Sequence, residues 1–309
     1  MAAYLARRLL LSVFVLWGTV SLVFVVMRIV PGDPALMILG PDATVDELNA
    51  LRQQMGLDDP LIVQYVNYLW GAVRLDFGES VRLGGDAMQQ VLGRMPVTLL
   101  LAAAALLIAV VVGVSMGILA ALKFDTRIDR AVTTLSLVTH SAPSFWVGLV
   151  LILIFARQLH WLPSGGAGTP AHLVLPALAA GLPFSATLTR FTRSGLLEVI
   201  NEGYIQTARS KGLPEHVVIL AHAIRNSLIP IVTVIGLYAG GILGGTVVIE
   251  TVFSWPGMGR LIVDSIGYRD YAVVQAGIVL ITFVFVTVNL IVDVLYGYLD
   301  PRVRLVGKA

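Results

Sequence analysis

Runs of apolar residues constrain this chain more than any other feature. A membrane-spanning helix needs about 20 mainly apolar residues. Six segments meet that requirement, namely residues 9–27, 97–122, 131–155, 171–188, 228–249 and 272–292. Only 13% of the 309 residues are charged and 57% are hydrophobic. A water-soluble fold could not bury so much apolar surface, whereas lipid can face it. We therefore predict an all-α, polytopic membrane protein with six transmembrane helices.

The first apolar segment raises the alternative of a cleaved signal peptide, because Arg7 and Arg8 precede it. The apolar run is too long for that, and no A-x-A cleavage pattern follows it. We expect a retained first helix within residues 1–30. The fourth segment is the weakest of the six because it contains Pro176, Gly181 and Pro183.

The distribution of charge predicts the orientation. Six spans place both termini on one side, and that side carries 13 Lys and Arg against 6 Asp and Glu, while the other side carries 8 against 12. Because Lys and Arg accumulate on the cytoplasmic side, we expect cytoplasmic termini. The expected domains are the tail and first helix (1–30), an extracytoplasmic segment (31–95), a membrane core with helices two to six and the cytoplasmic segment (96–300), and a cytoplasmic tail (301–309).

Two polar segments are expected to fold. In the extracytoplasmic segment, apolar residues recur at helical spacing, with an amphipathic helix expected around residues 45–55. In the cytoplasmic segment 189–226, residues 201–211 favour a short helix that Gly212 and Pro214 end. A second helix is expected from Pro214 to about Asn226. A short helix held between two spans is a docking knob for a cytoplasmic partner.

The motifs of several function classes are missing. The sequence has no G-x-x-x-x-G-K-[ST] loop for ATP, no H-E-x-x-H and no G-x-S-x-G. It has no Cys, and its five His are scattered. Ser141 and His140 are adjacent, so on a helix they point about 100° apart and do not face each other. We assign no catalytic residue, metal site or cofactor to this chain, and a net charge of +2 without a basic stripe excludes a nucleic-acid partner.

The cytoplasmic segment carries a family resemblance. Residues 204–230, YIQTARSKGLPEHVVILAHAIRNSLIP, resemble the signature loop of binding-protein-dependent ABC importer permeases, nearest to the dipeptide/oligopeptide (and nickel) branch. Where the general signature has Glu-Ala-Ala and a later Gly, this chain has Gln206, Thr207, Ala208 and Gly212. Further resembling stretches are PGDP (31–34), MGLDDPL (55–61) with Gln64-Tyr65, DFGES (76–80), APSFW (142–146), ETVFSWPGMG (250–259) and YLDPR (298–302). The long external segment points to the first permease subunit of that family.

The resemblance implies a type I ABC importer transmembrane domain with an external segment after the first helix. It implies a bacterial cytoplasmic (inner) membrane protein that passes di/oligopeptides or similar small solutes delivered by a solute-binding protein. The other implied partners are a second homologous permease subunit and two ATPase subunits, which hold the ATP and Mg. The implied ATPase-coupling residues are Tyr204, Gln206, Thr207, Ala208, Arg209, Lys211, Gly212 and Pro214. The loop with Trp255, Pro256 and Met258 is implied to face the binding protein.

The sequence leaves two interpretations open for several residues. Asp293 lies one turn from Asn289 near the cytoplasmic end of the sixth span, where a charge is costly. It serves either structural pairing or a translocation path or gate. The glycine faces of the second and fifth spans serve packing within the chain or contact with another subunit. An ATP-independent channel or secondary carrier is the alternative function; a carrier is expected to show inverted repeats, which we do not find.

Overall fold

The computed structural model describes residues 2–29 and 33–299, and its regular structure there is helical. An isolated antiparallel bridge joins Glu79 to Asp86. The helices are α1 (Ala2–Ile29), α2 (Pro34–Leu39), α3 (Val45–Gln54), α4 (Leu61–Arg74), α5 (Ala87–Leu122), α6 (Arg127–Ser141), α7 (Ser144–Leu151), α8 (Ala171–Ile200), α9 (Gly203–Ser210), α10 (Glu215–Val217), α11 (Arg225–Val252), α12 (Met258–Gly267) and α13 (Tyr271–Leu299). The tail 301–309 and parts of two resembling stretches, PG at 31–32 and DPR at 300–302, lie outside the described residues. The all-α prediction is confirmed.

The third predicted span is not one continuous helix. Five described helices are long and apolar enough to cross a membrane, and the sixth candidate is a pair, α6 and the helical stretch 144–158, bent by 106°. The bend lies at Ala142 and Pro143. Proline has no N–H to continue the helix and disfavours helical backbone in the residue before it, and Ala142 is extended with φ −82° and ψ 129°. The expectation of an uninterrupted helix over 131–155 was wrong for this reason.

The fourth span is longer than expected. Pro176 and Pro183 lie inside α8, which runs on from the predicted end at Leu188 to Ile200. Neighbouring helices make prolines tolerable within a membrane helix by satisfying the freed backbone groups. The polar continuation stays helical because one face remains buried, including Thr189, Thr192 and Leu196. The cytoplasmic segment expected to begin at residue 189 therefore opens as the end of a helix.

The chain divides into two compact units. The core unit comprises residues 1–4, 99–255 and 288–309, and the cap unit comprises residues 5–98 and 256–287. The cap unit thus contains most of α1 and the whole of α12 in addition to the predicted extracytoplasmic segment. The helix α12 begins at Met258, inside the loop expected to face the binding protein, and its buried Met258, Ile262 and Ser265 explain why it forms as an amphipathic helix.

Close helix packing organises the core unit. A Cβ added at Gly113 of α5 would lie 2.6 Å from the Cβ of Leu188, and one at Gly117 would lie 2.5 Å from the Cβ of Thr192. Small residues allow such approach between membrane helices. The glycine face of the second span therefore packs against α8 inside this chain, which was one of the two alternatives.

Aromatic contacts and caps organise the cap unit. Tyr65 and Tyr68 of α4 pack on the ring of Phe24 in α1, with centroids 5.3 and 5.5 Å apart. The hydroxyls of Ser21 and Tyr65 form a 2.6 Å hydrogen bond. The predicted helix around residues 45–55 is confirmed as α3, and Thr44 with Glu47 forms its capping box.

Candidate coupling site

The short helix α9 is a knob with one buried face. Ile205 is fully buried and Ala208 nearly so, and both belong to an apolar cluster with Leu196 of α8 and Val218 after α10. Burying this face holds the helix on the ends of its neighbouring segments. The opposite face of α9 is left exposed, as a docking helix requires.

The end of α9 explains why the sequence has glycine there. Gly212 has φ +75°, a left-handed conformation that costs other residues free energy. Its N–H donates to the carbonyl of Arg209 at 2.9 Å, and the N–H of Leu213 donates to the carbonyl of Ala208 at 3.4 Å. These two bonds form a Schellman ending. Pro214 then caps the next helix in an extended conformation.

An ion pair closes the turn between the two helices. The Arg209 guanidinium donates to both carboxylate oxygens of Glu215, at 2.6 and 3.2 Å. The Arg209 hydrogen bond lowers the pKa of Glu215 below its ordinary value. Both side chains are partly exposed, so the pair fixes the shape of the turn more than it stabilises the fold.

The predicted coupling residues separate into two groups. Ala208 is buried in the base of the knob. The others are exposed and form the surface that a partner can contact: Tyr204, Gln206, Thr207, Arg209, Lys211, Gly212 and Pro214. The Tyr204 hydroxyl accepts a 3.0 Å hydrogen bond from the side-chain amide of Asn226, which ties the knob to α11. Their role in coupling stays a prediction.

The second helix of this segment begins where it was expected but does not end at Asn226. The helical path runs from Glu215 through a π-helical turn at Val218–Ile224 into α11, which ends at Val252. The expectation of a separate helix was wrong, because the polar residues form the first turns of the fifth span. The knob is therefore joined directly to that span.

A buried ion pair that the sequence did not reveal lies in the same unit. The guanidinium of Arg193 in α8 donates to both oxygens of Asp129 in α6, at 2.6 and 2.8 Å. The N–H of Asp125 also donates to Asp129, at 3.0 Å. The Asp129 side chain is only 5% exposed. Asp129 and Arg193 are 64 positions apart, so no local pattern could have paired them.

Asn289 and Asp293 are both half-buried in α13. Asn289 lies against α11, since a Cβ added at Gly240 would lie 2.6 Å from its side-chain oxygen. This contact accounts for Gly240 as a packing residue. The assignment of Asn289 and Asp293 to a path or gate stays a prediction.

The loop expected to face a binding protein is mostly inside the protein. Trp255 is 4% exposed and Met258 is 1% exposed, whereas Pro256 is half-buried. The N–H of Met258 donates to the hydroxyl of Thr98 at 2.8 Å. In this conformation the two large side chains offer little surface to a partner, so contact there would involve exposed neighbours such as Ser254. The role of the loop stays a prediction.

Comparison with known proteins adds the family. The family described as "Binding-protein-dependent transport system inner membrane component" matches residues 113–305. The description "Binding-prot-dependent transport system membrane comp, N-term" matches residues 1–102. The glutathione transport system permease protein GsiC of Escherichia coli (strain K12) is 41% identical over 304 residues, which cover 98% of this chain and 99% of that protein. GsiC of Salmonella typhi matches with the same identity and coverage.

Solved structures support the fold. A crystal structure of an amino acid ABC transporter with histidines matches 69% of this chain and 94% of its own, with a TM-score of 0.53 and 18% identity. The inward-facing MetNI methionine ABC transporter matches 69% of this chain and 97% of its own, with a TM-score of 0.59 and 16% identity. The chain belongs to the family of binding-protein-dependent transport system inner membrane components, and it is a non-catalytic permease subunit of an ABC importer.

Proposed function

We propose that this permease subunit couples to its ATPases through α9 and passes short peptides of the glutathione class. The coupling proposal rests on the geometry of α9. Ile205 and Ala208 are buried at the base of this helix, and Gln206 and Thr207 are exposed. In this proposal two ATPase subunits hold the ATP and Mg, and a solute-binding protein delivers the solute. Both termini are cytoplasmic, which the excess of Lys and Arg on that side supports.

The connections of α9 give the coupling a mechanical basis. The base of the knob rests on Leu196 of α8, and Tyr204 is hydrogen bonded to Asn226 of α11. A displacement of the exposed face of α9 would therefore be transmitted to α8 and α11 together. Closing of the ATPases would move these helices and open the path to the binding protein, and reopening would reset it, which is alternating access.

A cavity in the core unit supports the position of the path. It encloses about 440 Å³, and its lining includes His140, Phe184, Tyr238, Gly241 and Gly245. The rings of Phe184 and Tyr238 stack with centroids 3.6 Å apart. We assign this cavity to the translocation path, with Asn289 and Asp293 of α13 as the proposed gate.

The glycines of α11 support pairing with a second permease subunit. Gly236 and Gly240 are packed against Val292 and Asn289 of α13, where an added Cβ would lie within 2.6 Å of a side-chain atom. Gly241, Gly244 and Gly245 would meet no described atom within 4 Å. The first pair serves packing inside the chain, and we propose that the open group faces the partner subunit.

The absence of Cys from the natural sequence makes this pairing directly testable. A single Gly245→Cys chain, combined with single Cys positions on the co-purified second permease, should cross-link to that subunit with a short bifunctional reagent. Gly240→Cys is the matched control, because its side chain would point at Asn289. Cross-linking from Gly240→Cys but not from Gly245→Cys would contradict the assignment.

The coupling proposal is tested by reconstituting the complete importer in liposomes with its binding protein and radiolabelled glutathione. Gly212→Pro removes an N–H donor and forbids φ +75°. It should abolish most ATP-dependent uptake while ATP hydrolysis continues or the ATPases dissociate. Gly212→Asn is the matched control, because Asn tolerates the left-handed conformation.

The outcomes separate the alternatives. Normal uptake by Gly212→Pro would contradict the coupling role of α9. Glutathione flux through the chain without ATPases would favour the channel or carrier. ATP-dependent uptake of another solute, with glutathione neither carried nor competing, would contradict only the proposed substrate class.

A further inference from the structure

The cap unit contains a cavity of about 560 Å³ that the coupling proposal does not use. Cavities of about 300–1,000 Å³ are the usual size for small-molecule sites. Its walls come from separate parts of the sequence: the end of α1, the loop before α4, α4 itself, the loop 77–81 and the start of α13. Parts of two stretches that carried the family resemblance, MGL at 55–57 and FGES at 77–80, meet in this lining.

Residues of the lining carry buried side-chain oxygens without partners. Among the described residues, four buried side-chain polar atoms have no hydrogen-bond partner. Three of them belong to residues that line this cavity: the amide oxygen of Gln64 and the hydroxyls of Tyr68 and Tyr271. Buried polar groups normally have partners, so such a cluster requires an explanation. A bound polar ligand, with a small adjustment of these side chains, supplies one.

Gln64 is held in a way that leaves its oxygen for such a role. Its amide nitrogen donates to the carbonyls of Leu57 and Asp59, at 2.9 and 2.7 Å. These two bonds use the donor side of the amide and leave the acceptor side. Tyr68 is fixed by the rings of Phe24 and Phe77, and burial raises the pKa of its hydroxyl, which keeps it protonated and able to donate.

The charged residues of the lining indicate the class of ligand. Arg28 and Arg269 contribute two guanidinium groups, and Glu79 contributes one carboxylate. None of the three forms an ion pair with another residue in the described ranges. Guanidinium groups bind carboxylates with two parallel hydrogen bonds, and a carboxylate binds an ammonium group. The set matches a solute with two carboxylates, one ammonium group and amide bonds.

We infer that this cavity is a binding site, on the permease itself, for a short peptide carrying two carboxylates and one ammonium group. Glutathione has this composition. The inference deepens the proposed substrate class and rests on it, because it gives a peptide of that class a site outside the core unit. Arg28 and Arg269 bind the carboxylates, Glu79 binds the ammonium group, and Gln64, Tyr68 and Tyr271 bind the amide groups.

The test measures binding to the complete importer in nanodiscs without the binding protein. Radiolabelled glutathione is the probe, and trialanine, with a single carboxylate, is the comparison peptide. Glutathione should bind saturably, and trialanine should compete at least about tenfold less well because it lacks one charged contact. Arg269→Gln should weaken glutathione binding about tenfold, and Tyr68→Phe about fivefold.

Arg74→Gln is the matched control, because Arg74 is an exposed arginine of the cap unit that stacks on Trp70 away from the cavity lining. It should leave binding unchanged. Each variant complex is first checked for assembly by size exclusion, and Tyr68→Phe keeps the ring packing should Arg269→Gln fail to assemble.

Three results would overturn the site. The first is that wild-type complexes that import glutathione normally show no saturable binding of it. The others are that trialanine competes as well as glutathione, or that Arg269→Gln and Tyr68→Phe leave binding unchanged. Binding of glutathione that disappears when anionic phosphatidylglycerol replaces zwitterionic lipid would reassign the cavity to a lipid headgroup. Failure of the proposed function has a different signature: Gly212→Pro complexes would still take up glutathione, or wild-type complexes would take up none with ATP, whether or not the cavity binds the probe.

Discussion

The ion pairs of the core unit and the charged residues that line the cap-unit cavity differ in how their charges are used. In the core unit, Asp129 is buried against Arg193, and Arg209 closes the turn after α9 by pairing with Glu215. In the cap unit, the guanidinium groups of Arg28 and Arg269 line a cavity without an ion pair to another described residue. Arginine also builds structure in the cap unit, where Arg52 pairs with Asp33. The contrast therefore lies between arginines that pair with a carboxylate and the two cavity arginines that do not.

This contrast shows that the partner of a charged side chain decides whether the charge stabilises the fold or is available to a ligand. A paired and buried charge is costly to break and says little about ligands. Charged residues that line a cavity without ion pairs, beside residues with unpaired polar oxygens, indicate ligand binding more directly. Mutations should therefore change stability in the core unit, and change binding with little loss of stability at the cavity. The predictions below test that contrast in order of decreasing effect.

The largest expected effect is that of Asp129→Asn. The substitution keeps the shape of the side chain but leaves the Arg193 guanidinium without its carboxylate, and breaking a buried pair in this way costs about 3 kcal/mol. We expect a clear fall in the thermal midpoint of the detergent-solubilised complex, measured by heating and size-exclusion chromatography.

The control for that experiment is Asp125→Asn. Asp125 pairs with Arg130, but both side chains are more than 70% exposed, so the cost should stay below about 1 kcal/mol. Replacing Arg193 with Gln in the Asp129→Asn chain should restore part of the lost stability. Equal losses of stability in Asp129→Asn and Asp125→Asn would contradict the distinction between buried and exposed ion pairs.

Asp270→Ala should destabilise the cap unit by about 2 kcal/mol. Asp270 is 1% exposed, and its carboxylate accepts hydrogen bonds from the Ser80 hydroxyl and the N–H of Arg82. Alanine would leave the Ser80 hydroxyl buried without this acceptor, which costs about 1–3 kcal/mol in comparable cases, and would also remove the acceptor of the partly buried Arg82 N–H. Limited proteolysis of the loop 77–86 measures the effect. Asp270→Asn retains one acceptor oxygen and should be milder. An Asn variant as unstable as the Ala variant would mean that the negative charge dominates.

Tyr68→Phe should leave stability unchanged or raise it by up to about 1 kcal/mol, because the lost hydroxyl is buried without a partner. The same substitution should weaken glutathione binding, so binding is lost without a loss of stability. Tyr65→Phe is the matched control: it removes the 2.6 Å bond to Ser21 and should lower the thermal midpoint without changing binding. A destabilised Tyr68→Phe chain would mean that its hydroxyl has a structural partner.

The sequence predicted those features whose cause lies within a short segment. Apolar runs predicted the spans, and the spacing of Gly212 and Pro214 predicted the end of α9. The break at Pro143 was readable in principle, but apolar composition on both sides suggested a continuous span. The Asp129–Arg193 pair and the cap cavity depend on residues far apart in the chain, so only the fold brings them together.

The smallest expected effect concerns the Arg209–Glu215 pair and its dependence on pH. Arg209 lowers the pKa of Glu215 below its ordinary value of 4.5 in the folded state. The pair therefore stabilises the fold above that pH, and the contribution is lost as the pH falls through the lower folded-state pKa. The thermal midpoint of the wild type should exceed that of Glu215→Gln slightly at pH 7, and the gap should narrow as the pH falls below 4.5. Added salt should narrow the gap at pH 7, since exposed charges are screened.

A gap that persists at low pH would mean that Glu215 acts through packing or hydrogen bonding and not through its charge. The turn after α9 would then resemble the cap unit, where shape and hydrogen bonds define the site, more than the buried pair of the core unit.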